Sequence, residues 1–173
     1  RGISMREIAE AVGISKAGLY YHFKDKEELF LAILTSHLDT VARIVQEARR
    51  QGADTRAQVT QMLRALLALP PDQRALVRLA TQEMVHLSPA ARASFEAIYR
   101  LKFLDPLEEL LRTGIARGEL RPVNVRLAVW VLLGMAYPFF SPAHSDEAMD
   151  EAVDLIISVF FDGLRNEENT RDT

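Results

Sequence analysis

Cysteine is absent from the 173 residues. This excludes a disulfide framework and any zinc site that needs thiolates, and it agrees with a reducing cytoplasm. Histidine is scarce: His22, His37, His86 and His144 stand alone, with no H-E-x-x-H pair or other metal spacing. No glycine-rich phosphate loop and no G-x-S-x-G elbow occurs. The adjacent carboxylates Glu27-Glu28, Glu108-Glu109 and Glu167-Glu168 would point in different directions on helices, so they read as solvated surface rather than as an acid–base pair. These absences argue against an enzyme, a bound metal and a cofactor. Long apolar runs are missing as well. The uncharged stretch from Leu127 to Phe140 is broken by Gly134 and Pro138 and falls short of the roughly 20 residues that span a bilayer. No secretory signal is legible, so a cytoplasmic protein without a membrane partner is expected.

What is present is concentrated near the start. Ile8, Val12, Ile14 and Leu19 are apolar where two short helices joined by a tight turn would bury them against each other, with the small Ala9 at the crossing. Ser4-Met5-Arg6-Glu7 fits the S-x-x-E capping box, which predicts a first helix from about Met5 to Val12. Gly13 falls where that helix needs a left-handed terminator, and Ser15 is a good N-cap for the second helix. Such a pair also occurs as plain core, but the second helix argues otherwise. Its first turn carries Lys16, Ala17 and Gly18, followed by Tyr20, Tyr21 and His22. Three polar aromatics in succession cannot all be buried on one face of a two-turn helix. The ones left outside can touch thymine methyls, stack on sugar edges or donate to phosphate. The pattern is a DNA-binding helix-turn-helix.

Charge distribution supports this. The formal net charge of −3 has the wrong sign for a DNA binder, but residues 1–26 hold five basic and three acidic side chains, a net of +2, against −5 for the remainder. The asymmetry turns the N-terminal end toward phosphate.

The run Gly13-Ile14-Ser15-Lys16-Ala17-Gly18-Leu19-Tyr20-Tyr21-His22-Phe23-Lys24-Asp25-Lys26-Glu27-Glu28-Leu29 resembles the signature of the tetracycline-repressor (TetR) family. The resemblance implies an all-α, dimeric transcriptional regulator: a helix-turn-helix domain, here residues 1–30, followed by a larger helical effector-binding and dimerisation domain, residues 31–173. Carried over by position, it places Lys16, Ala17, Gly18, Tyr20 and Tyr21 near base edges in the major groove. Ser4, Arg6, Tyr20, His22 and Lys26 would hold phosphates, and Ser15 joins the same DNA-facing set. The family pattern has a further helix before the motif. This chain opens at Arg1-Gly2, so that helix is expected to be absent and Ile8, Val12 and Phe23 to lose part of their cover.

Beyond the motif the periodicity stays helical, punctuated by Gly and Pro, without strand alternation. A long helix is expected from an Asp25 cap to about Arg50, with Leu29, Ile33, Leu34, Leu38, Val41 and Val45 as its stripe. Others should run from Thr55 to Leu69, from an Asp72 cap to Leu87, and from the Ser88-Pro89 cap to about Ala116. The Gly114-to-Pro122 segment resembles the family's connection into its last two helices, expected at Val123–Tyr137 and Asp146–Leu164, with a frayed tail after Asn166.

The last helix carries two apolar lines: Met149, Val153, Ile156 and Phe160 on one, Ala152, Leu155 and Val159 beside it. The preceding helix is apolar almost all round from Leu127 through Val131 to Ala136. One core needs one stripe. The surplus predicts a four-helix bundle with the same pair from a second copy, with Leu127, Val131, Ala152, Leu155 and Val159 in an isologous interface. Such a dimer would set two recognition helices about one DNA turn apart and read a palindrome.

An effector pocket is implied by the resemblance. Met62, Leu66, Met84, Phe95, Tyr99 and Phe103 are its candidate lining, Tyr137 lies near its wall, and Thr81, Gln82, His86, Tyr99 and Arg100 are polar anchors. For any one of them alone, ordinary core is the favoured reading, and the collective case rests on the resemblance. A small hydrophobic effector such as an acyl chain or aromatic acid suits such a lining. The competing reading is a helical interaction module whose Tyr-Tyr-His face meets a protein. Salt separates the two, because only DNA binding should fall by about 0.9 in log K per phosphate contact with log salt.

Overall fold

The computed structural model describes residues 3–141 and 146–164, and the described residues are helical almost throughout. Arg1-Gly2, His144 and the tail after Asn166 lie outside them.

Local chemistry sets most helix ends. Helix α1, Met5–Val12, starts with the capping box: Ser4 Oγ accepts from the Glu7 amide at 3.3 Å, and the Ser4 amide donates to Glu7 Oε2 at 2.7 Å. It stops at Gly13, whose φ of +76° is the left-handed conformation that disfavours other residues. Helix α2, Lys16–His22, is capped by Ser15 Oγ accepting from the Gly18 amide at 2.9 Å. Helix α3, Lys26–Gln51, is capped by Asp25 accepting from the Glu28 amide at 2.8 Å. Its 26 residues extend about 39 Å at 1.5 Å per residue.

Helix α4, Thr55–Leu67, ends before Pro70-Pro71, and α5, Pro71–Glu83, begins on Pro71 rather than behind an Asp72 cap. A proline in the first turn needs no donor, which moves the start back and leaves Asp72 inside the turn, facing the positive end of the helix dipole. A 3-10 turn over Met84–His86 takes the place of the last α-helical turn expected there. Helix α6, Pro89–Tyr99, is capped by Ser88. It runs through a π-helical turn, Arg100–Leu104, into α7, Asp105–Ala116. Pro106 accounts for the wide turn, since its ring cannot sit against the carbonyl four residues back, and the Asp105 amide bonds Arg100 O instead. Gly118, at φ +72°, turns the chain. Asn124 caps α8, Val125–Ala136, two residues later than expected. A Tyr137–Phe140 3-10 turn then leads toward α9, Asp146–Leu164.

Three apolar clusters hold the helices. Met5, Ala9 and Leu19 form the smallest, backed by Ile8, Phe23 and Leu29. Leu34, Leu38 and Phe95 form the second. The main core joins the second half of α3 to α4, α7, α8 and α9 through residues such as Val45, Leu63, Leu107, Leu132 and Ile156. All four residues of the expected Met149–Val153–Ile156–Phe160 line are buried there.

Several apolar expectations need correction. Val12 is 67% exposed, and Ile14 and Ile33 are exposed as well. Met5 and Leu29 close the α1–α2 crossing in place of Val12 and Ile14, which flank the left-handed Gly13. Glu108, read as solvated, is 5% exposed and lies between Arg100 and Arg112, which pair with it at 3.6 and 2.6 Å.

Helix α7 packs tightly on α4. A Cβ on Gly114 would come within 2.6 Å of Thr55 Oγ1, and Thr55 is fully buried with its amide bonded to Glu119 Oε2 at 2.8 Å. Gly114→Ala is therefore expected to destabilise the fold by about 1–3 kcal/mol, measured by urea denaturation. An unchanged midpoint would show that the α4–α7 contact is slack.

Candidate nucleic-acid interface

The α1–α2 crossing fixes what α2 can present. Leu19 and Ala9 are buried together, so the face of α2 opposite them is turned to solvent. Lys16, Ala17, Tyr20, Tyr21 and His22 are exposed, and Gly18 is partly so. Tyr21 is 85% exposed, which is costly for an aromatic ring without a partner. Its ring meets His22 edge-on at 5.1 Å. Lys16 Nζ lies 5.7 Å from the Tyr20 ring centroid, which steers the ammonium along the same face.

The phosphate-facing candidates flank this row. Ser4, Arg6, Ser15 and Lys26 are all exposed. The hydroxyls of Ser4 and Ser15 accept amide protons at their helix starts, which leaves their own O–H free to donate. Arg6 makes an exposed ion pair with Glu10 at 3.7 Å, a contact of small worth that an incoming phosphate can displace. Lys26 opens α3, where the helix N-terminus favours an anion.

The effector residues fall differently. Met62 and Leu66 are packed in the main core, Phe95 belongs to the second cluster, and Thr81, Gln82, His86 and Tyr137 are on the surface. Thr81 donates its hydroxyl to Val77 O of its own helix. Arg100 is taken by Asp105 and Glu108. Phe95, Tyr99 and Phe103 do come together, as a row with centroids 6.1 and 5.5 Å apart. Tyr99 touches both clusters, and burial pushes its phenol up to about 12.

On α8 and α9, Leu127, Val131, Leu155 and Val159 are more than half exposed. Ala152 is buried within the subunit and does not share that surface. Trp130, which the periodicity does not single out, is exposed beside them.

One more polar contact near the reading helix is invisible to the sequence pattern. Glu27 reads as solvated, yet its carboxylate accepts from the Ser88 amide and hydroxyl, both at 2.7 Å. Ser88 also caps α6. One side chain thus joins the start of α3, next to the DNA-reading helix, to the start of α6. Its only sequence signal is that a cap serine with a free hydroxyl needs an acceptor.

An exposed aromatic and basic recognition helix on a small helical head, joined by one long helix to a larger α-helical body, defines a helix-turn-helix DNA-binding regulator. Residues 1–33 match the family model described as bacterial regulatory proteins, tetR family, and residues 52–138 match the tetracyclin repressor-like C-terminal domain. The chain belongs to the tetracycline-repressor family of transcriptional regulators. It is 26% identical to the transcriptional repressor KstR2 of Rhodococcus jostii over 98% of this chain and 84% of that protein. Among solved structures, it resembles the regulator PfmR from Thermus thermophilus (TM-score 0.73, 27% identity, 90% of this chain and 87% of that one). It also resembles AibR in complex with isovaleryl coenzyme A and operator DNA (TM-score 0.74, 27% identity, 92% and 88%).

The Ser88 hydrogen bonds, amide first, hold the Glu27 carboxyl below its ordinary value of 4.5. A depressed carboxylate stabilises the fold above its unfolded pKa, and this contribution disappears as pH falls through the folded pKa. The stability difference between the wild type and Glu27→Gln should therefore be constant above about pH 5 and shrink below about pH 4.5. Urea denaturation from pH 3 to 7 checks it, and a difference independent of pH would exclude the ionised bridge.

Proposed function

We propose that this chain is a cytoplasmic, ligand-responsive repressor that binds a palindromic operator as a homodimer and is released by a small hydrophobic effector. The observation that carries the reading is the outward row of Lys16, Tyr20 and Tyr21 on a helix whose opposite side is buried. Such a row suits base edges in the major groove, with Ser4, Arg6, His22 and Lys26 on flanking phosphates. The unpartnered Leu127, Val131, Leu155 and Val159 favour an isologous contact between copies through α8 and α9. A relative named as a repressor and a neighbour solved with an acyl coenzyme A and operator DNA support the direction of the response and the acyl character of the effector.

The effector is accommodated along the Phe95–Tyr99–Phe103 row, where the two body clusters meet. Opening that row displaces α6 and the π-helical turn. Both are fastened to α3, through Glu27–Ser88 and through an ion pair between Lys102 and Asp39. A ligand that prefers the displaced arrangement alters the tilt of α3, and with it the separation of the two recognition helices.

Fluorescence anisotropy with operator DNA tests the reading head. Tyr21→Ala is expected to weaken specific binding by about 1–3 kcal/mol and to relax base preference, while Lys26→Ala should weaken all sequences about equally. Neither should change folding stability by more than about 0.5 kcal/mol. Binding that ignores salt would return the Tyr-Tyr-His face to the protein-contact reading. Leu155→Lys should yield monomers in sedimentation velocity; an unaltered dimer would move the interface elsewhere.

A further inference from the structure

Helix α5 is anchored by a charge. Of its residues, all of them described, only Arg74 is buried, at 4% exposed. A helix laid on a core ordinarily buries an apolar stripe, yet Leu76, Val77, Ala80 and Met84 are only half-buried. Arg56, Arg64 and Arg112, all on the surface, each pair with a carboxylate. Arg74 pairs with none among the described residues. Its Nη1 donates to Leu67 O at 2.7 Å and to Met149 Sδ at 2.8 Å, and its Nε is enclosed without a partner.

Helix capping does not account for this arrangement. Leu67 ends α4, so the bond to its carbonyl does satisfy a helix end. One donor is enough for that, whereas a guanidinium brings five and does not lose its charge inside a protein. Stripping its water costs more than a single helix-end bond returns. The second bond goes to a thioether, a weak acceptor on a flexible side chain, at a distance that suits an oxygen. A buried charge without a counter-charge, with an easily displaced atom in front of it, selects an anion.

The place of Arg74 selects the rest of the molecule. Arg74, Val77, Ala80 and Met84 share one face of α5 by helical spacing. Val77 packs on the main core, Ala80 and Met84 pack on the second cluster, and Tyr99 touches both. The charge thus stands at one end of the apolar face that meets the two clusters joined by the Phe95–Tyr99–Phe103 row. Arg100, the cationic anchor expected from the pattern, is already held by Asp105 and Glu108. We propose that the effector is an amphipathic carboxylic acid, its apolar body under α5 along that row and its carboxylate on the Nη edge of Arg74, where it displaces Met149 Sδ. Two parallel bonds from the planar fork fit a carboxylate, and Nε stays on the enclosed inner side. This assignment rests on the effector reading of the row and names its head group.

Calorimetric titration of the full chain with octanoate, octanamide and octanoyl coenzyme A tests the anchor, with operator binding measured on the same preparation. Octanoate should bind at least tenfold more tightly than octanamide, which has the same body without the charge. Arg74→Met should abolish that preference and leave the urea midpoint of the ligand-free protein unchanged or raised, because it removes a buried charge that has no partner. A residue that serves only as a cap would instead lower the midpoint and leave the preference intact. Arg74→Lys, which keeps the charge and loses the fork, should weaken octanoate about fivefold and serves if Arg74→Met does not fold. Equal affinity for acid and amide, an acid preference that neither substitution alters, or no octanoate binding at millimolar concentration would each overturn the proposal. Arg74-dependent binding of the coenzyme A ester alone would also overturn it, by assigning the guanidinium to a phosphate. Operator release by octanamide as readily as by octanoate would remove the anchor and leave the effector reading intact. Octanoate bound through Arg74 without effect on operator binding would do the reverse.

Discussion

Three separate apolar clusters are held in register by a single helix. Leu29, in the first turn of α3, backs the α1–α2 crossing; Leu34 and Leu38 pack on Phe95; Val41, Val45 and Ala48 enter the main core. Each cluster satisfies a different stretch of one backbone, and a packed helix transmits a tilt at one end to the other instead of absorbing it. The orientation of Tyr20 and Tyr21 relative to the body is therefore decided by where α3 lies against α4, α6 and the π-helical turn. The Asp25 cap fixes where the helix begins, so it also fixes which residues fall into which cluster.

Burial leaves that helix only partly secured, and polar contacts complete the job. The helix-turn-helix core rests on three buried residues, Met5, Ala9 and Leu19, too few to orient a domain without further restraint. Glu27 adds a restraint of another kind: two hydrogen bonds to Ser88 set direction as well as distance, and a charged acceptor makes them stronger than neutral ones. Lys102 and Asp39 repeat the arrangement farther along α3, at the π-helical turn. The wide turn itself stems from Pro106, so the place where the α6–α7 helix is least regular is also where it touches α3.

Much of this is legible in the sequence, and the division follows the range of the interactions. Capping is local: Ser4-x-x-Glu7, Gly13, Ser15, Asp25 and Ser88 each act within a few residues, and each sets its terminus as the pattern implies. The outward row on α2 is legible because three polar aromatics cannot share one buried face. Features set by distant neighbours are not legible. Glu27 and Glu108 resemble any solvated helical glutamate until Ser88, Arg100 and Arg112 are placed beside them. Val12 fits the spacing of a buried residue, but Met5 and Leu29 fill that crossing. Thr81, His86 and Tyr137 fit a pocket on helical spacing alone, and two of the three sit in 3-10 turns that rotate the face away.

The two exposed aromatic and aliphatic surfaces differ in a way that bears on function. On α2 the exposed rings carry polar tips and stand among Lys16, Lys24 and Lys26, so they suit a partner that is both flat and anionic. On α8 and α9, Leu127, Val131, Leu155 and Val159 carry no polar atoms in their side chains, so only another apolar surface repays their burial. In the proposed homodimer this surface would be covered by its own copy, with a two-fold axis through the body. Such an axis would place the two α2 helices symmetrically at the other end of each α3. Any rotation of α3 against the body would then change the span between reading helices twice over, once per copy. On the proposed function, a shift at the α3–α6 contact too small to unpack either core would thereby be enough to move both helices off a half-site spacing that the DNA helix holds constant.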